Sequence, residues 1–273
     1  MSGVIDVVEV GECYVAKSAN REWVEKSRHG AVITSLLRYA LDSKTVDVAL
    51  VVEAREGYRF DSVLSIVKES SEIEEPIGAF HCATPNIAKF IKNYLDGARD
   101  LKVAVVVKPC DARAIIELAK RNQINLENVL MIGVNCTGTF SPTAFEKILR
   151  EEFGVDPSSV VYEDIEGDSL IIELENGEQR ELNLRELEER GLGRRENCRR
   201  CDVKIPRMAD LAVGKWGVEN DKASLIEVCT SKGAKLLEEA VRANAIVIEK
   251  PSEEALRIRD GTVSYTHLRA HET

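Results

Sequence analysis

Hydrophobic and polar positions along the chain follow two periods, one helical and one strand-like. Residues 27–43 ("SRHGAVITSLLRYALDS") carry apolar side chains at helical spacing, which predicts an amphipathic helix with Ser27 and Gly30 near its start. Residues 46–54 ("VDVALVVEA") form an apolar, β-branched run that is typical of a buried strand. Further strands are predicted at residues 11–19, 223–229 and 245–249, and further helices at residues 84–97, 141–154 and 232–244.

A β-α-β unit indicates the direction of the central strands. Residues 101–107 predict a strand, residues 112–121 a helix and residues 129–134 a second strand. Such a crossover places neighbouring strands parallel. From residue 159, short alternating strands joined by Glu-Gly-Asp and Asn-Gly turns predict an antiparallel meander. The expected fold class is α/β, with a mainly parallel sheet core, a small antiparallel β insertion and a cysteine-containing loop.

The domain organisation follows from this pattern. We expect one domain over residues 1–262, with the meander as an insertion at residues 159–190 and a cysteine-rich, basic loop at residues 194–217. The last eleven residues, 263–273 ("VSYTHLRAHET"), follow "RIRDGT" abruptly and hold two of the four histidines. We expect them to be a non-native tail, and the native chain to have continued beyond this point.

Net charge, the length of apolar runs and the number of cysteines exclude several classes of function. The formal net charge of −10 argues against a nucleic-acid partner, because phosphate contacts need a basic surface. The longest apolar runs are too short to span a bilayer, and the opening "MSGVIDVVEVGE" predicts no export signal. A cytoplasmic protein is therefore expected. In that reducing compartment, seven cysteines favour metal binding or redox chemistry over disulfides.

Four of the cysteines form a candidate ligand set. Cys110 follows the first strand of the β-α-β unit and Cys136 follows the second, so both belong at the edge where open α/β sheets build their sites. Cys198 and Cys201 form a C-x-x-C, which presents two thiolates from one loop. Four such ligands fit either a tetrahedral zinc site or a 4Fe-4S cluster.

The remaining cysteines and histidines support other interpretations. Cys13 and Cys229 lie in strand-like apolar patterns and are interpreted as packing residues. Cys82, beside His81, is a candidate fifth ligand or a packing residue. A thioredoxin-like site is disfavoured, since there the C-x-x-C follows a strand and opens a helix. Outside the tail only His29 and His81 remain, so hydrolytic catalysis has little support and no catalytic side chain is predicted.

Four blocks of the sequence resemble the β-subunit family of coenzyme F420-reducing hydrogenase and formate dehydrogenase. They lie in the family's order between about residues 28 and 217: "HGAVITSLLRYALDSKTVDVALVV", "AVVVKPCDARAIIEL", "MIGVNCTGTFSP" and "NCRRCDVKIPRMADLAVGKWG". The family usually has a glycine pair where this chain has His29 and Gly30. Many relatives also carry a ferredoxin-type module, whose additional cysteines are not visible here.

The resemblance implies an iron–sulfur flavoprotein subunit that moves electrons between coenzyme F420, or a similar anionic carrier, and a partner hydrogenase, formate dehydrogenase or related complex. It implies that Cys110, Cys136, Cys198 and Cys201 hold a 4Fe-4S cluster. It also implies that the turn and helix from Gly30 to Thr34 lie near the FAD. The rival hypotheses are a zinc-stabilised α/β binding or scaffold protein and an electron-transfer subunit with a cluster and no flavin.

Basic residues near the cysteines remain open to several interpretations. Lys108 and Arg113 flank Cys110, and they either contact the flavin and its phosphates or face solvent. Gly30, at the start of a helix, offers main-chain amides to a phosphate or serves only as a cap. A cluster of basic residues, called here the basic island, also surrounds the C-x-x-C. It either compensates the charge of a cluster, docks an anionic ligand or forms a solvated loop. Its members are Arg194, Arg195, Arg199, Arg200, Lys204 and Arg207.

Overall fold

The described strands form two sheets of unequal size. The computed structural model describes residues 7–56, 58–73, 81–82, 84–218 and 222–270, with side chains through residue 261 except at residue 59. The strands are β1 (Cys13–Ser18), β2 (Val48–Arg55), β3 (Tyr58–Val67), β4 (Val103–Val107), β5 (Val129–Val134), β6 (Val160–Glu166), β7 (Ser169–Leu174), β8 (Gln179–Asn183), β9 (Leu211–Gly214), β10 (Ser224–Val228) and β11 (Ile246–Glu249).

Helices connect and cover these strands. They are α1 (Arg21–Lys26), α2 (Val32–Asp42), α3 (Ile87–Tyr94), α4 (Pro109–Lys120), α5 (Pro142–Lys147), α6 (Leu184–Glu189), α7 (Glu196–Arg199), α8 (Ser231–Arg242) and α9 (Glu253–Ala270). Within the described part of the chain, no helix is long and apolar enough to cross a bilayer.

The large sheet has a parallel centre and antiparallel flanks. Its strand order is β11-β1-β10-β9-β5-β4-β2-β3. The four central strands, β9, β5, β4 and β2, pair in parallel. The outer strands pair antiparallel on both sides. The predicted α/β class, parallel core and antiparallel insertion are confirmed, and the sheet as a whole is mixed.

Helices pack on both faces of the large sheet. Leu36 of α2 and Leu237 of α8 are fully buried on one face. Ile91 of α3 and Ile115 of α4 are fully buried on the other. Each such side chain contributes roughly 1.5–3 kcal/mol when removed from water. Coverage on both faces explains why β4 ("VAVVV") has an unbroken apolar run instead of an alternating one.

The small sheet, of order β6-β7-β8, confirms the predicted meander. It has its own apolar core together with α5 and β3. The rings of Phe60 and Phe145 meet edge to face with centroids 5.0 Å apart, and Phe140 lies 5.1 Å from Phe145. This core fixes the small sheet beside the end of β5, close to the predicted cysteine site.

The segment at residues 194–217, expected as a loop, contains two regular elements. These are the short helix α7 and the strand β9, which lies between β5 and β10 in the sheet. A run of four residues between breakers has too little periodicity to be recognised. The strand β9 forms because these residues pair with β5 and β10, which are distant in the sequence. At the other end of the chain, α9 continues through the boundary expected at residues 262–263.

The sheet topology gathers several segments at one edge. β4, β5 and β9 end at this edge because they are parallel. β10 is antiparallel to β9 and so begins there, at Ser224, and β1 ends there, at Ser18. The loops after β1, β4 and β5 therefore share this edge with the segment that precedes β10. We call it the carboxyl edge.

A thiol-rich site at the carboxyl edge of the sheet

Cys110 lies in the first turn of α4, directly after β4. Pro109 occupies the first helical position and fixes the start of the helix. The Lys108 main-chain N–H donates to Asp111 Oδ2 (3.2 Å), and Lys108 Nζ lies 2.5 Å from the same oxygen. Partial desolvation of the Cys110 thiol, then the Asp111 carboxylate, raise its pKa, while the Lys108 ammonium opposes them. The thiol needs a nearby positive group to ionise.

Cys136 lies on the loop after β5, next to Cys110 as predicted. The register between β4 and β5 pairs Val107 with Gly133, so the two cysteine loops leave adjacent strands side by side. The Cys136 main-chain N–H donates to the Lys204 carbonyl oxygen (2.9 Å). Burial, together with charge on Cys110 and Cys198, raises the pKa of the Cys136 thiol to about 11.

The C-x-x-C loop is anchored against the Cys136 loop. Arg195 N donates to the Thr139 carbonyl (2.8 Å), and Thr139 Oγ1 lies 3.3 Å from Cys198 Sγ. Gly138 has φ +121° at this contact, and a Cβ there would meet Arg194 Cδ at 2.4 Å and Cys198 Cβ at 3.4 Å. Glycine is required because both the backbone angle and the space exclude a side chain.

Three of the four predicted ligands, Cys110, Cys136 and Cys198, influence one another electrostatically across three loops. The pKa of Cys136 responds to Cys110 and Cys198, and the pKa of Cys110 responds to Cys198. The Lys204 ammonium responds to Cys201, Cys136 and Cys198. Among the described residues no three histidine, cysteine or acidic side chains converge closely enough to hold a single ion. All seven cysteines are free thiols.

A buried acceptor lies beside the thiols. Asn135 directly precedes Cys136, and its main-chain N–H donates to the Val213 carbonyl (2.9 Å). Its side chain packs against Gly214, where a Cβ would come within 2.1 Å of Asn135 Nδ2. Asn135 Oδ1 is buried and has no hydrogen-bond partner within the described structure. This oxygen is available to accept a hydrogen bond from a bound group.

The predicted flavin segment reaches the same edge. Gly30 is buried with φ +71°, and a Cβ there would lie 2.7 Å from the Lys222 carbonyl oxygen. Ser224 Oγ donates to the His29 carbonyl (2.7 Å), which ties this turn to the start of β10. Thr34 is half-buried in the first turn of α2. Gly30 thus has a packing role in addition to the predicted cofactor role.

The two predicted basic contacts differ in their surroundings. Lys108 is largely buried and paired with Asp111, next to Cys110. Arg113 is exposed on α4, one turn from the start of the helix. Their roles toward a flavin remain predictions.

The other three cysteines lie away from this ligand set, and burial raises the pKa of each. Cys13 is buried in the sheet and accepts a hydrogen bond from Arg259 Nη1 (2.7 Å), and burial raises its pKa. Burial raises the pKa of Cys229 to about 12. Cys82 is 1% exposed within the apolar core of the small sheet, and burial raises its pKa well above the usual range. These surroundings suit packing residues.

The sequence pattern did not indicate a polar network that joins the small sheet to the carboxyl edge. The buried Glu163 accepts the His81 main-chain N–H, and its Oε2 lies 3.0 Å from His81 Nδ1. His81 Nε2 lies 2.9 Å from Thr137 Oγ1, one residue after Cys136. One feature of the sequence could have indicated this network, namely two consecutive acidic residues, Glu163 and Asp164, within a predicted strand. The structure shows that both are buried.

A second part of this network uses Asp164. The ammonium group of Lys215 pairs with Asp164, and Tyr162 Oη donates to the same carboxylate (2.9 Å). Burial opposes ionisation of Asp164, but Lys215 outweighs it, so the pKa of Asp164 falls below its usual value. Arg28 pairs with Glu173 and stacks 4.2 Å from the Tyr162 ring centroid. The fold and site thus define an α/β protein with a thiol-rich site at the carboxyl edge of its large sheet, next to the small sheet.

Two family models match this chain, and both describe the beta subunit of coenzyme F420 hydrogenase/dehydrogenase. The model of the N-terminal part of that subunit matches residues 13–90. The model of its C-terminal part matches residues 100–254. The chain therefore belongs to the coenzyme F420 hydrogenase/dehydrogenase beta-subunit family, which confirms the resemblance seen in the sequence.

Individual relatives agree with this assignment. The chain is 45% identical over 237 residues to the F420-dependent formate dehydrogenase subunit beta of Methanocaldococcus jannaschii, covering 87% of this chain and 61% of that protein. It is 41% identical over 251 residues to the F420-dependent formate dehydrogenase 1 subunit beta of Methanococcus maripaludis, covering 91% and 64%. The chain spans about three fifths of the length of these relatives.

A solved structure shares the fold. A chain of the F420-reducing NiFe hydrogenase complex from Methanosarcina barkeri superposes with a TM-score of 0.79. The match covers 100% of this chain and 95% of that one, at 19% sequence identity. At this identity the likeness concerns the fold alone.

Proposed function

We propose that this chain is an iron–sulfur flavoprotein subunit of an oxidoreductase that passes electrons between coenzyme F420, or a similar carrier, and a partner enzyme. The observation that carries the proposal is that Cys110, Cys136 and Cys198, from three loops at the carboxyl edge, interact electrostatically with one another, while Cys201 interacts with the neighbouring Lys204. Family membership supports the redox class. The names of the formate dehydrogenase relatives support the carrier and the kind of partner.

The donor set fits a 4Fe-4S cluster. The Cys136 loop approaches the C-x-x-C loop closely at Gly138, where a Cβ would lie 3.4 Å from Cys198 Cβ. Four thiolates are the usual protein ligands of such a cluster. Cys110 and Cys136 would ligate from the sheet, and Cys198 and Cys201 from the facing loop.

The residues around this set would control its protonation and environment. Because the pKa values of Cys110 and Cys136 are raised, loading must displace protons from these thiols. Lys108 stabilises the charged thiolates of both. The free state of all seven cysteines suits a reducing, cytoplasmic compartment.

The turn at Gly30 is the proposed flavin contact. A bound FAD would supply hydride acceptance and the release of single electrons. Gly30 and Thr34 would hold it at the start of α2, where main-chain amides face the carboxyl edge. Lys108 and Arg113, at the start of α4, are the proposed cationic contacts on the cysteine side.

Quantifying cofactors after anaerobic purification tests this function. The visible spectrum would be recorded, and iron, sulfide, zinc and flavin would be measured per chain. We expect about four irons and one flavin, as one 4Fe-4S cluster and one FAD require. A reduced carrier of the F420 type should then bleach the flavin absorbance.

A zinc-stabilised scaffold is the rival function, since four thiols also suit zinc. One zinc in a colourless protein would overturn the redox proposal. Iron without flavin would instead identify a one-electron transfer subunit, and the assignment of Gly30 and Thr34 would be wrong.

A further inference from the structure

Among the described residues, the basic island around the C-x-x-C contains cations that pair with carboxylates and two, Arg195 and Lys204, that do not. Arg194 Nε lies 2.6 Å from Glu188 Oε1, and Arg199 lies 3.7 Å from the same carboxylate. Arg200 pairs with Glu196 (2.9 Å). Two carboxylates, Glu188 and Glu196, thus offset part of the charge of these three arginines.

The other three basic residues of the island differ in whether they have a charged partner. Arg207 pairs with Glu227 at 2.6 Å, and the exposed Arg195 donates to the Phe140 carbonyl at 3.2 Å. Lys204 has no ion pair or side-chain hydrogen bond with any described residue. It is nevertheless buried, with 7% of its surface exposed.

The surroundings of Lys204 are the thiols. Its carbonyl oxygen accepts the Cys136 main-chain N–H, which fixes the residue between the two cysteine loops. Its ammonium group interacts electrostatically with Cys201, Cys136 and Cys198. Arg194, the other nearby charge, repels it.

A largely buried ammonium group without a counter-ion is unfavourable, because its partial desolvation is not offset by an attractive charge. A cluster held by four thiolates is anionic and would supply that charge. We propose that Lys204 is the counter-ion of the thiolate-held cluster and that its charge raises the reduction potential of that cluster. This inference rests on the proposed function.

The direction of the effect follows from electrostatics. Reduction adds one electron to a group that is already negative, and a fixed cation nearby favours the state with the extra electron. Without the cation, the oxidised form is relatively more stable. The reduction potential then shifts to more negative values.

The test compares three variants of the anaerobically purified chain with wild type. Lys204→Met keeps an unbranched apolar stem and removes the charge, whereas Lys204→Arg keeps the charge. Arg207→Met removes a charge from the same island, and Glu227 retains Arg259 as a partner at 3.4 Å. Iron and sulfide are quantified, and the cluster is titrated under dithionite–dye control by electron paramagnetic resonance.

We expect Lys204→Met to shift the potential negatively, so that the reduced-to-oxidised ratio at a fixed potential falls about tenfold. Lys204→Arg and Arg207→Met should stay near wild type. Loss of iron in Lys204→Met alone, with iron kept in Lys204→Arg, would also support the counter-ion role. Loss of iron in both Lys204 variants would overturn it, because the charge is retained in one.

Different results would exclude the counter-ion role of Lys204 and the iron–sulfur redox function. An iron-loaded wild type whose potential is the same in Lys204→Met overturns the counter-ion inference and leaves the redox function standing. A wild type without iron removes the redox function, and the counter-ion inference with it.

Discussion

Burial raises the pKa values of the two sheet-edge thiols, and the Lys108 ammonium offsets only part of this effect. Cys136 has a pKa of about 11, and the pKa of Cys110 is raised as well. At neutral pH neither thiol is a ready ligand by itself. Cluster loading is therefore coupled to proton release, and it should become less favourable as the solution is acidified.

Replacing cysteines separates ligands from packing residues. Cys198→Ala or Cys201→Ala should reduce iron to less than about a tenth of wild type, because a cube held by three thiolates is labile. Cys13→Ala is the matched control, since Cys13 is buried in the sheet and the change removes one sulfur atom. Iron analysis and far-ultraviolet circular dichroism measure the two effects. Retained iron in the double variant, or lost iron in Cys13→Ala, would mean that the ligands are assigned wrongly.

The candidate site could be predicted only in part from the sequence. Placing Cys110 beside Cys136 needed only the rule that parallel strands end at one edge, and the β4–β5 register confirms it. The C-x-x-C pattern made Cys198 a candidate ligand beside them, but no local rule fixes its position, because the whole small sheet separates it from Cys136 in the sequence. The contact between His81 and Glu163 was missed for the same reason.

At the scale of elements, the segments with strong local periodicity were recognised and the others were not. α2 and α8 have wide apolar stripes, and β4 and β5 are continuous apolar runs. β9 has four residues and ends in glycine, so its identity as a central strand depends on its neighbours. Tertiary pairing outweighs local preference there.

The turn before α2 gives a prediction at this scale. Gly30→Ala places a methyl group 2.7 Å from the Lys222 carbonyl in a backbone with φ +71°. Gly167→Ala is the matched control, because Gly167 has φ +60° but nothing within 4 Å of its Cβ position. We expect the control to lose about 1–2 kcal/mol from the left-handed backbone, and Gly30→Ala about 1–3 kcal/mol more from overpacking.

Urea unfolding of both glycine variants measures the difference. Equal losses would show that the turn and the 222–223 backbone are less tightly packed than the structure indicates. In that case the conformational requirement alone would explain the glycine.

Across the whole molecule, polar pairs fasten the small sheet to the large one. His81 contacts Glu163 of β6, Lys215 follows β9 and pairs with Asp164, and Arg28 pairs with Glu173 of β7. Buried pairs of this kind specify one arrangement because leaving either partner alone is costly. The two sheets should therefore unfold together.

The His81–Glu163 pair makes this attachment dependent on pH. Burial opposes protonation of His81, but the Glu163 charge and hydrogen bond outweigh it, so the His81 pKa lies above its ordinary value of 6.5. The pair's contribution to stability is thus complete below about pH 6.5 and is lost as the pH rises through the raised pKa of the folded state.

Comparing wild type with His81→Gln by urea unfolding between about pH 5.5 and pH 9 measures this contribution. The difference in free energy of unfolding should be largest at the acidic end and should shrink as the pH rises. Arg55→Gln, which removes an exposed ion pair with Asp61, should show a constant difference. A His81→Gln difference that does not vary with pH would contradict the assignment.

The placement of the small sheet between two adjacent strands has a consequence for how the family can vary. β5 and β9 lie side by side, and the chain between them, residues 135–210, leaves and re-enters the sheet at fixed points. Loop-closure entropy grows only with the logarithm of length, by about 0.6 kcal/mol per doubling. Length changes in the outer loops of this excursion should therefore cost little chain entropy, provided that the core of the small sheet is kept. Cys136 lies where the excursion leaves the sheet, so the pairing of β5 with β9 would hold this cysteine in place when those loops change.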